Sequence, residues 1–579
     1  MWSEIADYIK KRVESLIKEE FQVEVNVPVK DNSKFADFCI PLFVIAKEVN
    51  SDVETVKRVL SKIKLDCVKV EFVGGFMNFK VDVVELATKV LPEILSKGED
   101  YGKENVGNGS KVIVEYVSAN PLHPLHIGHS RNAFIGDALV NLYTYLGFNV
   151  EKHYYINDAG RQVAILVAGV SKLLDEITPP DDVKVDHWIG ELYVKSNKML
   201  ESGEISEEDI SALLQGIERG DPLITKQFDS IVDLCLKGQL ETLKRLGISF
   251  DFFTKESRLC HKGLVKEVVD KLSKSKFYKK FKETEYFEKH EKLDEECDPE
   301  YFVLDLNELG IDKPLVLMRK DGTTLYVTRD IAYSIWKISR GVVKIFNVIA
   351  AEQTLPQSQL RAALKILGYE DIDDVLIHVK YEMVIAPELG KMSSRRGRAI
   401  WLDDIIELLI EEIKKSYPQK VTGEIAEKVA IAAIKCHMLK VDPMKPLTFK
   451  VKDVMNLKAN SGPYLLYTLV RAKNILRKAG KMPTEANYEK LTGKEEGEII
   501  KLLSKFPDVV KKAALEIKPN ILVDYLLKLP VLFNKLYEKK PVLKAPKEER
   551  DARLHLVKAT EVVLSIGLKL LGIPILERM

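Results

Sequence analysis

Two stretches of the 579-residue chain gather side chains suited to phosphate chemistry. The first is Asn120-Pro-Leu-His-Pro-Leu-His126-Ile127-Gly128-His129. Two imidazoles flank a glycine at the mouth of a helical pattern running from about Ser130 to Leu146. Such a group can seat a nucleotide phosphate: the glycine admits the backbone, the imidazoles donate hydrogen bonds, and the helix start supplies free N–H groups. The same residues can also be two surface histidines capping a helix. The pattern contains neither a Walker loop nor G-x-G-x-x-G. The second stretch, Gly390-Lys391-Met392-Ser393-Ser394-Arg395-Arg396-Gly397, sets three cations and two hydroxyls between glycines. A loop of this kind can close over a polyphosphate and neutralise a departing pyrophosphate, or it can be an ordinary solvated basic loop. Lys271-Leu-Ser-Lys-Ser275 looks similar, but it continues the helical spacing of Leu264, Val265, Val268, Val269 and Leu272 and has no flanking glycine, so it is set aside.

The elements around these stretches predict an α/β fold. Lys111-Val-Ile-Val-Glu-Tyr-Val117 reads as a strand, followed by the histidine loop and a helix closed by Gly147, which is how a doubly wound nucleotide domain opens. Pro314 to Met318, Leu325 to Val327, Val342 to Ala350 and Val375 to His378 are expected to complete its sheet. Residues 165–300 are charged and helical and read as an insertion. Residues 1–105 form an α+β unit, with a first helix on Ile5, Tyr8, Ile9, Val13 and Ile17 and strand alternation in 23–27 and 68–73. The glycines between 98 and 109 mark a linker. The expected domains are therefore 1–105, a catalytic unit 106–405 with its insertion, and an all-α bundle 406–579 without a good strand.

Composition narrows the function further. Hydrophobic residues make up 46% and charged residues 30%, proportions that sustain several cores and exclude a mostly disordered chain. No apolar run reaches membrane-spanning length and the start is unlike a signal peptide, which predicts a cytoplasmic protein without a membrane partner. The six cysteines are scattered without a C-x-x-C pair, so neither zinc nor a disulfide framework is expected and no metal site is assigned. The net charge of +1 hides an asymmetry: residues 411–579 carry 33 Lys and Arg against 20 Asp and Glu, leaving 55 against 67 in the remainder. A basic C-terminal unit suits a polyanion, although a solvated lysine-rich helical surface has the same composition.

Taken together, His-Ile-Gly-His after the first strand and Lys-Met-Ser-Ser-Arg about 260 residues later resemble the two signatures of class I aminoacyl-tRNA synthetases. Further motifs are Glu115-Tyr-Val-Ser-Ala-Asn-Pro121, Gly136-Asp-Ala-Leu139, Tyr155-Ile-Asn-Asp-Ala-Gly160, Asp321 to Asp330, Gly462-Pro-Tyr-Leu-Leu-Tyr467 and the terminus Leu570 to Met579. In this order, over essentially the whole chain, they resemble the arginyl-tRNA synthetase family.

The resemblance implies that L-arginine, ATP and the cognate tRNA(Arg) give arginyl-tRNA, AMP and pyrophosphate through an adenylate. It further implies attachment to the terminal 2′-hydroxyl, activation only with tRNA bound, Mg²⁺ arriving with ATP, and no DNA partner; a monomer is expected. His126, Gly128, His129, Lys391, Met392 and Ser393 would bind ATP, with His126, His129 and Lys391 catalytic. Glu115, Asn120, Tyr326, Asp330 and Gln353 would hold arginine, two acids and three polar groups suiting a planar guanidinium and leaving a lysine ammonium poorly matched. Without the family, Glu115 can be an ordinary strand acid and Asp330 a helix cap. Ser394 stands where the family's common pattern has a second lysine, and Arg395 or Arg396 would replace that charge. Phe76 and Asn78 would meet the outer corner of tRNA, or be a glycine turn with core aromatics; Tyr464, Tyr467 and Arg471 would form an anticodon face. Rival readings are a synthetase for another amino acid, which would not want the acid pair, and a small-molecule adenylyltransferase, which would not need the basic bundle. A non-catalytic tRNA-binding paralogue would have broken signatures.

Overall fold

The computed structural model describes the chain except residues 32–34, 175–176, 290–297, 321, 388–399, 417–421, 455–459 and 579. The first helix, Trp2–Phe21, buries Trp2, Ile9, Val13 and Ile17 along one stripe. It accompanies an antiparallel sheet of β1 (Lys30–Asp31), β2 (Phe38–Pro41), β3 (Val68–Val73) and β4 (Phe76–Val81), in the order β1-β2-β4-β3. The alternation at 23–27 points inward as expected, with Val27 buried, but pairs with no strand; the Val27 N–H donates to Glu14 instead (3.0 Å).

The central sheet is parallel and five-stranded. Its members are β5 (Lys111–Glu115), β6 (Asn149–Ile156) and β7 (Phe252–Lys255), and, after an excursion, β11 (Lys344–Ala350) and β12 (Leu376–Tyr381). The excursion is a separate antiparallel sheet of β8 (Tyr278–Lys280), β9 (Phe302–Leu304) and β10 (Leu315–Met318). The order β12-β11-β5-β6-β7 reverses direction between β5 and β11, so a crevice opens beyond their carboxyl ends.

Two expectations about this sheet are corrected. Leu315–Met318 stays out of it, and Leu325 to Val327 begins the helix Tyr326–Ile338 rather than forming a strand. Burial supplies the reason: β5 is closed on both faces, whereas β10 alternates buried and half-buried residues, as a strand covered on one side does. Conversely β7, inside the stretch expected to be a helical insertion, joins the central sheet; it is an edge strand of four residues, Phe-Phe-Thr-Lys, too short to show a clear alternation.

The rest is largely helical, apart from β13 (Val384–Ile385) and β14 (Leu447–Thr448), which pair in parallel and correct the expectation of a strandless C-terminal unit. The glycine-rich connection after residue 98 is packed rather than loose. Tyr101 is fully buried, stacks on Phe506 (6.1 Å) and donates to the Leu503 carbonyl (3.0 Å). Among the described residues no helix is long and apolar enough to cross a membrane.

Candidate active site

A cleft of about 740 Å³ lies at the switch point between β5 and β11. Its histidine wall follows from how the helix Ile127–Tyr145 begins. His126 is the N-cap: its Nδ1 accepts from the Gly128 N–H (3.1 Å), while its own N–H donates to Nδ1 of His129 (3.2 Å). Two otherwise free backbone donors are thereby satisfied. Because each Nδ1 accepts, the proton of each neutral ring resides on Nε2. The rings stack with centroids 3.7 Å apart. Gly128 is required for this arrangement, since a Cβ there would come within 2.9 Å of the His126 ring. His123, outside the expected set, joins the group, 6.1 Å and 6.3 Å from the other two rings and 5.5 Å from Trp401. Burial, reinforced by His123, pushes His126 down to about 4, and burial beside His126 and His123 lowers His129 well below the ordinary imidazole range. All three rings are neutral at pH 7.

The wall after β5 is held under strain. Val117 and Ser118 adopt φ of +65° and +39°, a region costly for a β-branched valine. Asn132, from the histidine helix, accepts from the Val117 N–H (2.6 Å) and donates to the Val348 carbonyl on β11 (2.7 Å), locking the helix to both strands. Beyond the bend, Asn120 sits in an amide chain, accepting from Asn157 (3.1 Å) and donating to Gln162 (3.2 Å). Gly136 lets the same helix lie against Tyr116, where a Cβ would come within 2.3 Å.

The opposite end is charged. The helix Tyr326–Ile338 brings Tyr326, Asp330, Tyr333, Ser334 and Lys337 to the cleft. Asp330 lies inside this helix, four residues beyond its start, which removes the helix-cap alternative. It makes no hydrogen bond or ion pair among the described residues, and burial together with Glu256 and Glu115 raises its carboxyl well above the usual range. The neighbouring Arg329 turns away, buried between Glu218 and Glu256 (3.2 Å to the latter) and donating to the Ala159 carbonyl (3.1 Å). Glu115 is already engaged: its Oε2 accepts from Lys337 (2.5 Å). Tyr326 is half-exposed with its ring against Gly160, and Gln353 is an exposed residue of the cleft wall. Tyr155 stacks on Tyr333 (4.5 Å), and its buried hydroxyl finds no partner among the described residues. All five residues expected to hold arginine thus line the same cleft as His126 and His129. Lys391, Met392, Ser393, Ser394, Arg395 and Arg396 lie outside the described residues. Among the described residues no cluster of three or more His, Cys, Asp or Glu is arranged to hold a metal.

The expected tRNA contacts fall elsewhere. Phe76 opens β4, is 43% exposed and meets the exposed Phe43 edge-on (6.4 Å). Asn78, two residues along the same face, is 7% exposed between Cys39 and Glu71. Tyr464, Tyr467 and Arg471 occupy the helix Gly462–Ala479. The Arg471 guanidinium lies between the rings of Tyr467 and Tyr537, 4.6 Å from each, and donates to Asn534 (2.5 Å). Tyr464 turns inward, accepting from Asn534 (2.9 Å). Tyr537 and Asn534 are 66 and 63 residues from Arg471, so no local spacing points to them.

The family model for the catalytic domain of class I tRNA synthetases (R) matches residues 90–450, and that for the DALR anticodon binding domain matches 465–579. A curated arginine–tRNA ligase of Ignicoccus hospitalis is 37% identical over 99% of this chain and 98% of its own length; that of Methanocaldococcus jannaschii is 36% identical over 100% and 99%. Among solved structures, Thermus thermophilus arginyl-tRNA synthetase superposes with a TM-score of 0.81 at 27% identity, covering 99% of this chain and all of the other. With its parallel sheet, histidine-capped helix and acid-lined cleft, the chain belongs to the arginyl family of class I tRNA synthetases.

Proposed function

We propose that this protein ligates L-arginine to tRNA(Arg), using ATP to form an arginyl-adenylate and releasing pyrophosphate and then AMP. The observation that carries the reading is one cleft with unpartnered acid at one end and neutral N–H donors at the other. Asp330 and Glu115 receive the guanidinium, and Tyr326, Asn120 and Gln353 supply the surrounding polar contacts. A guanidinium presents five donors in a plane, and a lysine ammonium would leave part of this set unmatched in a desolvated pocket.

His126 and His129 act as Nε2–H donors to the triphosphate. Neutral and stacked in the free protein, they gain electrostatic favour as negative charge builds on the α-phosphate during attack by the arginine carboxylate. Gly128 admits the nucleotide to the helix start. Lys391 neutralises the leaving pyrophosphate, Met392 and Ser393 help to bind ATP, and Arg395 or Arg396 supplies the charge absent at Ser394. Mg²⁺ enters with ATP. Phe76 and Asn78 meet the outer tRNA corner, and Tyr464, Tyr467 and Arg471 the anticodon, whose binding precedes activation; the 2′-hydroxyl of the tRNA end is then acylated. We keep 1–105, 106–405 and 406–579 as the division of labour, in a cytoplasmic monomer.

The test offers each amino acid in turn with ATP, Mg²⁺ and bulk tRNA, and counts acid-precipitable label. Arginine alone is expected to be incorporated, with pyrophosphate exchange appearing only when tRNA is present. Incorporation of another amino acid in its place overturns the assignment.

A further inference from the structure

The pocket contains a cation of its own. Lys337 is 1% exposed on the floor of the cleft, two turns beyond Asp330 on the same helix. A buried ammonium is costly unless all its donors are met, and here they are. One goes to Glu115 Oε2 (2.5 Å) and one to Asn347 Oδ1 (2.9 Å), while the Tyr333 ring lies beneath the nitrogen at 4.4 Å. Glu115 and Asn347 are themselves cross-strand partners in the β5–β11 register, directly at the switch point. Lys337 therefore bridges two strands and the helix that carries Asp330. It occupies one oxygen of Glu115 and leaves Oε1 with no hydrogen bond among the described residues.

Resting on the function proposed above, we infer that Lys337 is a positioning and specificity residue of the amino-acid pocket. It holds Glu115 in one orientation with a single oxygen available, and it makes Asp330 the carboxylate free to take the guanidinium as a fork. Ionised together, Glu115, Asp330 and Lys337 carry one net negative charge, the complement of a single guanidinium. Without Lys337 the burial and like-charge repulsion that already raise the Asp330 carboxyl would act with less opposition, and its proton would be held more tightly at the expense of substrate binding. Of the surrounding groups, Glu256 also raises the Asp330 carboxyl and Arg329 lowers it, while Lys337 is the cation bonded to Glu115. Arg329 is engaged by Glu218 and Glu256; His153, within reach of the Lys337 charge, is lowered to about 4 by burial and is neutral; Tyr155 and Tyr333 are held protonated by burial.

The experiment compares tRNA charging by the wild type, Lys337→Met, Lys337→Arg, Glu115→Gln and the double variant Glu115→Gln/Lys337→Met, each checked by thermal melting. For Lys337→Met, the KM for arginine is expected to rise at least about tenfold and the KM for ATP to stay within about twofold. The acid limb of arginine kcat/KM should move to higher pH, because removing a positive charge raises the neighbouring carboxyls. Lys337→Arg should restore most of the loss. The double variant has no orphaned charge, folds even where Lys337→Met does not, and should be no worse than Glu115→Gln alone. An unchanged arginine KM and acid limb in Lys337→Met, or a double variant far worse than Glu115→Gln, overturns the role of Lys337 while leaving the arginine reading intact. A wild type that charges no tRNA with arginine overturns both.

Discussion

At one end of the cleft the side chains are charged and partly tied to each other; at the other, three imidazoles are stacked and uncharged. The contrast follows from what each end would meet. A guanidinium brings its own fixed positive charge and favours the ionised form of the raised Asp330 carboxyl, beside a Glu115 already oriented by Lys337. A triphosphate brings negative charge that changes during reaction, so donors on neutral rings, fixed by backbone hydrogen bonds, suit ground state and transition state without an unpaired cation in the empty protein. On the function proposed above, charge at one end selects the substrate, and orientation at the other serves the chemistry.

Removing the free acid breaks this contrast most severely. Asp330→Asn keeps the shape but loses the charge, and arginine kcat/KM in tRNA charging is expected to fall about 10³-fold, roughly 4 kcal/mol, with the KM for ATP little altered. A comparable loss for both substrates would show that the ends are not separable. The histidine end comes next. His126→Asn retains a good helix cap while removing the imidazole, so kcat should fall about 10²-fold with the melting temperature nearly unchanged; a normal kcat would remove His126 from the chemistry.

The neutral character of that end can be titrated directly. NMR of the free protein should place the His126 midpoint near 4, as against about 6.5 for an exposed imidazole. Between those values the unfolded chain binds more protons than the folded one, so the histidine contribution to stability is complete above about pH 6.5 and declines as the pH falls toward 4. A midpoint near 6.5 would contradict the stacked, desolvated arrangement. The smallest effect belongs to the bundle, where Arg471 is held between two rings. Arg471→Ala should weaken tRNA binding about three- to tenfold and lower the salt slope by about one, without changing the KM for arginine. An unaltered slope would separate this cation from phosphate contact.

Much of the site was legible because it is local. The histidine tetrad, its glycine and the following helix are consecutive, and the interior acid Asp330 and half-exposed Tyr326 lie four residues apart on one helix. The pairing of Glu115 with Lys337 spans 222 residues and had no such signal, since nothing near either residue marks the other. For the same reason Tyr537 carries no signal, whereas His123 lies inside the Asn120–His129 stretch and Tyr155 opens one of the quoted motifs, and their packing alone shows their place in the site. The sheet was half legible. β5 and β11 are strongly apolar, but the four-residue edge strand β7 was hidden in a stretch expected to be helical and the one-sided β10 joined a different sheet, because short runs do not encode which sheet they join.

Chain chemistry alone determined the family, the strand-loop-helix placement of the histidines, the inventory of pocket acids and the basic C-terminal unit, all of which depend on residue type and near-neighbour spacing. Only the tertiary structure decided which acid is free and which is tied, that the imidazoles are neutral with the protons of His126 and His129 on Nε2, and that Arg471 is gripped by a ring 66 residues away. These depend on burial and on contacts between distant segments, and a charge buried in a protein takes its state from whatever the fold places beside it.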